Sequence, residues 1–313
     1  MSSYISGFKN HRLRFISRVI VLHFYKKVSP AGASSAYFNA CSIYMLGTDL
    51  SADNLCDEQG CRMMCKDTFI ELEDVTTVYE GERRPAIKDV NLVIEKNELV
   101  YVVGPNAAGK TTLLETINGL LPLFKGKISV FGLDVLTRGR VVRCGIGYVP
   151  QDFLVKPGEP YTALDVVLMG RYGRMGVLHR PEREDREKAV DAMKLLDVGE
   201  LANKPMGKLS GGQQQKVMIA RAIAKEPKIL LLDEPFSNLD PESRGRVPSV
   251  IRSLHDENEL TTLIVTHDIH NLMKQCRRVV VMNNGRILVD GMPEKALPAM
   301  EDKSRVTSTE ANC

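Results

Sequence analysis

The chain has 313 residues, with 42 Lys and Arg against 39 Asp and Glu, a formal charge of +3 and no tryptophan. That length holds one large α/β domain or two smaller ones, and the surplus charge sits mostly in Lys9, Arg12, Arg14, Arg18, Lys26 and Lys27, ahead of the first acid, Asp49. No basic field covers the remainder, so a nucleic-acid partner has no electrostatic support; nor does any apolar run reach the roughly eighteen residues a spanning helix needs.

Residues 1–66 mix Ser, Gly, Asn and Cys without sustained periodicity and read as an N-terminal extension, with a self-contained domain expected over 67–299 and a tail over 300–313. The apolar stretch 15–25 is short and carries Arg18 and His23. Seven cysteines, an odd number, do not make a disulfide framework; Cys41, Cys56, Cys61 and Cys65 have spacings of neither a zinc ribbon nor an iron–sulfur site and are expected as thiols. Met63 and Met64 stand directly before the regular part of the chain, which raises the expectation that translation starts there.

From there the elements follow in order. Residues 70–75 alternate as a half-buried strand does, Gly81 marks a turn, and 86–94 and 98–103 read as strands. A glycine-rich loop, 104–112, leads into a helix over 113–120; strands are expected over 126–131 and 146–149. Residues 161–169 have helical spacing, with Thr162 as N-cap and Gly170 as stop. Over 180–196 a charged face opposes Ala189, Met193 and Leu196, as in a surface helix, and Arg171, Arg174, Arg180, Arg183 and Arg186 read as a solvated surface. A helix over 211–224 precedes a doubly buried strand, 229–232. A helix over about 242–255 holds Pro248, where a kink or altered start is expected. Strands over 260–265 and 278–282 follow. Strands alternating with helices after such a loop make a mainly parallel sheet covered on both sides.

The loop carries the chemistry. In GPNAAGKTT (Gly104, Pro105, Asn106, Ala107, Ala108, Gly109, Lys110, Thr111 and Thr112) the two glycines let the backbone wrap with its N–H groups inward, and the following helix adds the positive end of its dipole. Lys110 can reach the β- and γ-phosphates of a nucleotide, and the Thr111 hydroxyl can ligate the Mg²⁺ that bridges them. Downstream, ILLLDEP ends an apolar strand on two carboxylates: Asp233 to hold the Mg²⁺ shell, Glu234 to orient or deprotonate an attacking water.

A third stretch, Leu209-Ser210-Gly211-Gly212-Gln213, makes a capped helix start whose glycines allow close backbone approach. With it, in this order, the chain resembles the ATP-binding cassette family over about 69–299. The resemblance implies a P-loop nucleoside triphosphatase core of the RecA-like type, an antiparallel β subdomain and an α-helical signature subdomain at about 152–208. It implies ATP and Mg²⁺ as cofactors, with Ser210, Gly211, Gly212 and Gln213 closing over ATP held by a second subunit, and Asp240, in Ser237-Asn238-Leu239-Asp240, at the dimer contact. Gln151 matches the glutamine that senses Mg²⁺ and water, His267 the histidine at the γ-phosphate, and Tyr79 the aromatic that stacks on adenine; read alone, His267 is also a structural hydrogen-bonding group and Tyr79 a core tyrosine. The loop departs from the family at Ala107, where glycine is usual, so either positive φ is not needed there or alanine tolerates it.

The family's partners are a second cassette, expected as a homodimer, an integral-membrane permease, and, indirectly, an extracytoplasmic substrate-binding protein, with the cassette peripheral on the cytoplasmic face. Residues 163–174, then Arg180-Pro181, together with Gln213-Gln214-Gln215 and Glu234-Pro235-Phe236, look like the cassettes of zinc and manganese importers. Cassettes for iron chelates and cobalamin are near neighbours, and a soluble, non-transport cassette ATPase is the more distant alternative.

Overall fold

In the computed structural model the described residues are 68–153, 158–175, 180–267, 276–294 and 296. The expected extension of 1–66, with its four cysteines, and the tail of 300–313 lie outside them. Cys144 and Cys276 are present as thiols.

The first strands, β1 (Thr68–Thr77) and β2 (Ile87–Glu95), pair antiparallel. In β2 the buried Ile87, Val90, Leu92 and Ile94 alternate with exposed residues, the pattern of a sheet with one wet face. The chain then enters a second sheet through β3 (Leu99–Val103), turns at the glycine-rich loop and continues as α1 (Lys110–Ile117). This helix begins three residues before the position expected from sequence, because Lys110, Thr111 and Thr112 form its first turn; their polarity makes that turn read as loop. The chain returns to the first sheet as β4 (Leu123–Val130) and β5 (Leu133–Asp134), completing the order β2-β1-β4-β5. Unanticipated is α2 (Val135–Cys144), whose N-cap Asp134 accepts from the amides of Leu136 and Thr137.

After β6 (Ile146–Val149) come α3 (Ala163–Leu168), α4 (Tyr172–Met175), α5 (Arg183–Leu195) and α6 (Gly211–Ala224). Thr162 caps α3 in a reciprocal box with Asp165, as its sequence position suggested. Ala189, Met193 and Leu196 are buried against this group of helices. The reading of the arginines as solvated fails at Arg171, which is 6% exposed. Its guanidinium donates to Asp185 (2.9 Å), Glu226 (2.8 Å) and the Ala224 carbonyl (3.0 Å), and Arg174 and Lys188 also pair with Glu226. Asp185 and Glu226 are 14 and 55 positions away in the chain, so no local pattern announces the pairing.

The chain closes with β7 (Ile229–Asp233), α7 (Pro241–Glu257), β8 (Thr261–Thr266), β9 (Arg278–Asn283) and β10 (Arg286–Gly291). Asp240 caps α7 and Pro241 takes its first position. The helix is continuous through Pro248 and starts at Pro241, so the altered start expected as one outcome of that proline is not seen. Proline removes the amide that would bond the Arg244 carbonyl, but Arg244, Gly245 and Arg246 are exposed, so water can serve that carbonyl. The β9–β10 hairpin turns at Asn284 (φ 46°) and Gly285 (φ 73°), an Asn-Gly pair whose hairpin preference was legible but unused.

The second sheet has the order β10-β9-β3-β8-β7-β6, parallel except at β9–β10. Its central strands are buried on both faces and divide their side chains by alternation. Tyr101, Leu230, Leu232 and Ile264 face a core made with α3, α5, α6 and α7, whereas Val100, Val102, Ile229, Leu231, Leu263 and Val265 face one made with α1, α2 and the first sheet.

Candidate nucleotide-binding site

Strand register brings the sequence-distant motifs together. Val103 pairs with Thr266, Asp233 with Val265, and Val149 with Leu232. Gly104, His267, Glu234 and Gln151 therefore follow the carboxyl ends of β3, β8, β7 and β6, four neighbouring strands, where open parallel sheets bind ligands.

The glycine-rich loop is held by its neighbours. A Cβ on Gly104 would lie 2.2 Å from the Met282 carbonyl oxygen, and one on Gly109 (φ 94°) 2.7 Å from that of Ala86, so both positions require glycine. Ala107 adopts φ 61°: alanine takes the left-handed conformation that glycine would adopt without strain. The Gly285 amide donates to the Ala108 carbonyl (3.0 Å), and the Ala108 amide to that of Pro105 (3.2 Å). Gly109 caps α1 with no side-chain bond, which leaves the helix's first amides without a side-chain acceptor and able to take an anion. Lys110 is 7% exposed; its Nζ donates to the carbonyls of Gly104 and Pro105, both at 2.9 Å. Burial lowers its pKa, against the opposing pull of Glu234 and Asp233.

Asp233 is fully buried, and neither carboxylate oxygen meets hydrogen-bond geometry with a protein donor. Burial and the charge of Glu234 push its pKa up to about 6; the nearby Thr111 hydroxyl and Lys110 pull the other way. Glu234 is 7% exposed and has φ 48°, a left-handed turn that takes its carboxylate out of the strand's alternation. One of its oxygens, Oε1, lies 2.9 Å from Nδ1 of His267. Gln151 and Asp152 are exposed, and Asp152 adds negative potential at Asp233.

Tyr79 is half-buried, and its hydroxyl donates to Glu115 (2.8 Å) and lies 3.1 Å from the Thr112 hydroxyl. Glu115 and Tyr148 are acidic groups the sequence reading missed. Glu115 is 3% exposed, and burial followed by the charge of Asp233 raises its pKa to about 7; the same causes, desolvation first, raise that of Tyr148. The available signal for Glu115 was helical spacing, since it lies on the face of Thr111 and Thr112.

Ser210, Gly211, Gly212, Gln213 and Asp240 form a separate cluster. Ser210 and Gln213 bond each other's backbone amides, and a Cβ on Gly212 would lie 3.0 Å from the Asn238 carbonyl oxygen, close to the turn capped by Asp240. Among the described residues, no hydrogen bond joins this cluster to the loop at 104–112 within the chain.

A parallel sheet feeding a glycine-rich loop and a helix defines a P-loop nucleoside triphosphatase. The ABC transporter family model matches residues 87–237. The manganese transport system ATP-binding protein MntB of Bacillus subtilis (strain 168) is 40% identical over 200 residues, which are 64% of this chain and 77% of that one. The zinc transport system ATP-binding protein TroB of Treponema pallidum (strain Nichols) is 34% identical over 222 residues, 71% of this chain and 80% of that one. The sulfate/thiosulfate import ATP-binding protein CysA of Bacillus cereus (strain ATCC 10987 / NRS 248) is 40% identical over 226 residues, 72% and 62% of the two chains. Among solved structures, a dimeric ATP-binding cassette in a post-hydrolysis state with ADP and phosphate superposes with TM-score 0.63 at 30% identity, over 71% of this chain and 98% of that one. An inward-facing metal-chelate type ABC transporter does so with TM-score 0.63 at 29% identity, over 76% and 90%.

The chain belongs to the ABC transporter family, as an ATP-binding and ATP-hydrolysing subunit. No helix among the described residues is long and apolar enough to cross a membrane.

Proposed function

We propose that this subunit powers an importer for a divalent metal ion of the zinc or manganese class, docked on a separate permease at the cytoplasmic face of the membrane and fed by an extracytoplasmic binding protein. The supporting observations are the likeness of residues 163–174 to metal-ion cassettes and the manganese and zinc systems of two relatives. The sulfate relative and the metal-chelate structure make other cargoes the alternative outcomes of the test.

The observation that carries the catalytic reading is the convergence of Lys110, Asp233, Glu234 and His267 at the ends of adjacent parallel strands. Residues 104–112 cradle the triphosphate; Lys110 exchanges two loop carbonyls for β- and γ-phosphate oxygens. Glu234 accepts a proton from the attacking water as its oxygen bonds to the γ-phosphorus and the bond to the bridging oxygen of ADP breaks. His267 steadies that carboxylate and reaches the γ-phosphate. Tyr79 offers its ring to adenine.

The two buried, unpartnered oxygens of Asp233, beside the Thr111 hydroxyl, suit a hard divalent cation, and with Gln151 they are the groups assigned to hold Mg²⁺. The ion supplies charge neutralisation on the β- and γ-phosphates.

Since, among the described residues, no hydrogen bond ties Ser210–Gln213 or Asp240 to the chain's own phosphate loop, they are assigned to the ATP held by a second copy, in a homodimer. ATP touching both copies favours closure, and hydrolysis removes the bridging contacts. The helical subdomain is assigned to residues 152–208, between the two clusters.

Co-expression with a candidate permease in vesicles, followed by ATP-driven uptake of Mn²⁺, Zn²⁺, sulfate and a ferric chelate, decides the cargo. Uptake of either metal alone supports the proposal; uptake of sulfate or chelate instead overturns the metal assignment while leaving the ATPase intact.

A further inference from the structure

Glu115 is a buried carboxyl on the phosphate-loop helix that hydrolysis itself does not use. It lies one turn beyond Thr111 and Thr112, among the buried Leu113, Leu114 and Ile117. A carboxyl group taken out of water is costly unless it is engaged. Here its Oε2 accepts from the Tyr79 hydroxyl at 2.8 Å, and the phenol oxygen also lies 3.1 Å from the Thr112 hydroxyl. Two residues before Tyr79, the Thr77 hydroxyl meets that of Thr116 on the same helix at 3.4 Å. The segment carrying the tyrosine is thus joined to α1 at two places.

We propose that Glu115 is a positioning residue: by holding the Tyr79 hydroxyl against α1, it fixes the aromatic ring as a platform for the nucleotide base. Tyr79 follows the end of β1 and accepts the amide of Glu82 in a turn, so its ring is outside the sheet that would otherwise orient it. Tethering it before the base arrives lowers the ordering cost of binding. Because Lys110, Thr111, Thr112 and Glu115 share one helix, the tether makes base platform and phosphate cradle a single rigid unit. A phenylalanine would present the same ring without the tether. The inference rests on the assignments of residues 104–112 to the triphosphate and of Tyr79 to the base.

The test uses the full chain and compares calorimetric binding of ATP with that of inorganic tripolyphosphate, which has no base. Tyr79→Phe and Glu115→Leu are each expected to weaken ATP binding about five- to tenfold, the double variant no further, with tripolyphosphate unaffected. Glu115→Gln, whose amide oxygen still accepts the hydroxyl, should stay near wild type. ATP binding by Tyr79→Phe equal to wild type overturns the proposal, as does a parallel loss of tripolyphosphate binding, which would mark a disturbed loop. A wild-type chain that binds tripolyphosphate as tightly as ATP removes the base-platform assignment instead, and one that binds neither removes the reading of the loop.

Discussion

Nδ1 of His267 lies 2.9 Å from Oε1 of Glu234, joining the ends of β8 and β7 through side chains 33 positions apart. The imidazole is well exposed while the carboxylate is only 8% so, which makes the ring the more accessible member of the pair. Glu234→Gln keeps the shape and removes the proton acceptor. Turnover should fall by about two orders of magnitude or more, with ATP binding retained and the ATP-bound dimer accumulating. Phosphate release in single turnovers, with size-exclusion chromatography in ATP, reads both; normal turnover would refute the role given to Glu234.

Ala107 holds φ 61° on an exposed stretch of the loop, so its methyl group strains the backbone without filling a cavity. Ala107→Gly should raise the unfolding free energy by about 1 kcal/mol, measured as a higher urea midpoint with unchanged slope. An unchanged or lower midpoint would place the loop's strain elsewhere.

Asp185 pairs with the buried Arg171 and also accepts the Glu182 amide at the start of α5. Asp185→Ala leaves the guanidinium with Glu226 as its remaining carboxylate partner and should cost about 3 kcal/mol, near the lower end for a broken buried pair. Asp191→Ala, removing an exposed pair with Lys194, should cost less than about 1 kcal/mol. Equal effects in urea unfolding would show that burial does not set the value of the Arg171 pair.

Glu115 fixes a pH dependence. Its pKa rises from an ordinary 4.5 to about 7 on folding, so the native state holds the proton more tightly and protonation favours it. The associated stability is fully present below about 4.5 and is lost as pH rises through about 7. Relative to Glu115→Gln, wild type should lose stability across that window and run parallel to the variant above it. Asp233, raised to about 6, contributes with the same sign in both proteins, and because its charge is one cause of the Glu115 shift the comparison reads the two carboxyls as a coupled pair. Unfolding free energies of nucleotide- and metal-free protein at stepped pH test this; a constant difference from pH 4 to 8 would mean that Glu115 titrates normally.

Local chemistry made much of the chain legible before folding was considered. Helix α6 has the bounds its sequence predicted, because Ser210 and Gln213 cap it reciprocally within four residues, and β7 announced itself through four consecutive aliphatics. Its loop motif was legible for the same reason: backbone conformation and helix dipole depend on residues adjacent in sequence. The first turn of α1 was not, since threonine and lysine read as loop until packing buries them.

What sequence alone determined is the family, the order of its motifs and the residues assigned here to grip and cut a triphosphate, all properties of contiguous stretches. Only tertiary structure decided that Arg171 is buried on Asp185 and Glu226, that Tyr79 is tied to Glu115, that Ala107 accepts a left-handed turn, and that His267 reaches Glu234. The polar pairings among these depend on strand register and on burial, which raise or offset the cost of each polar group through partners far along the chain; no local spacing encodes them.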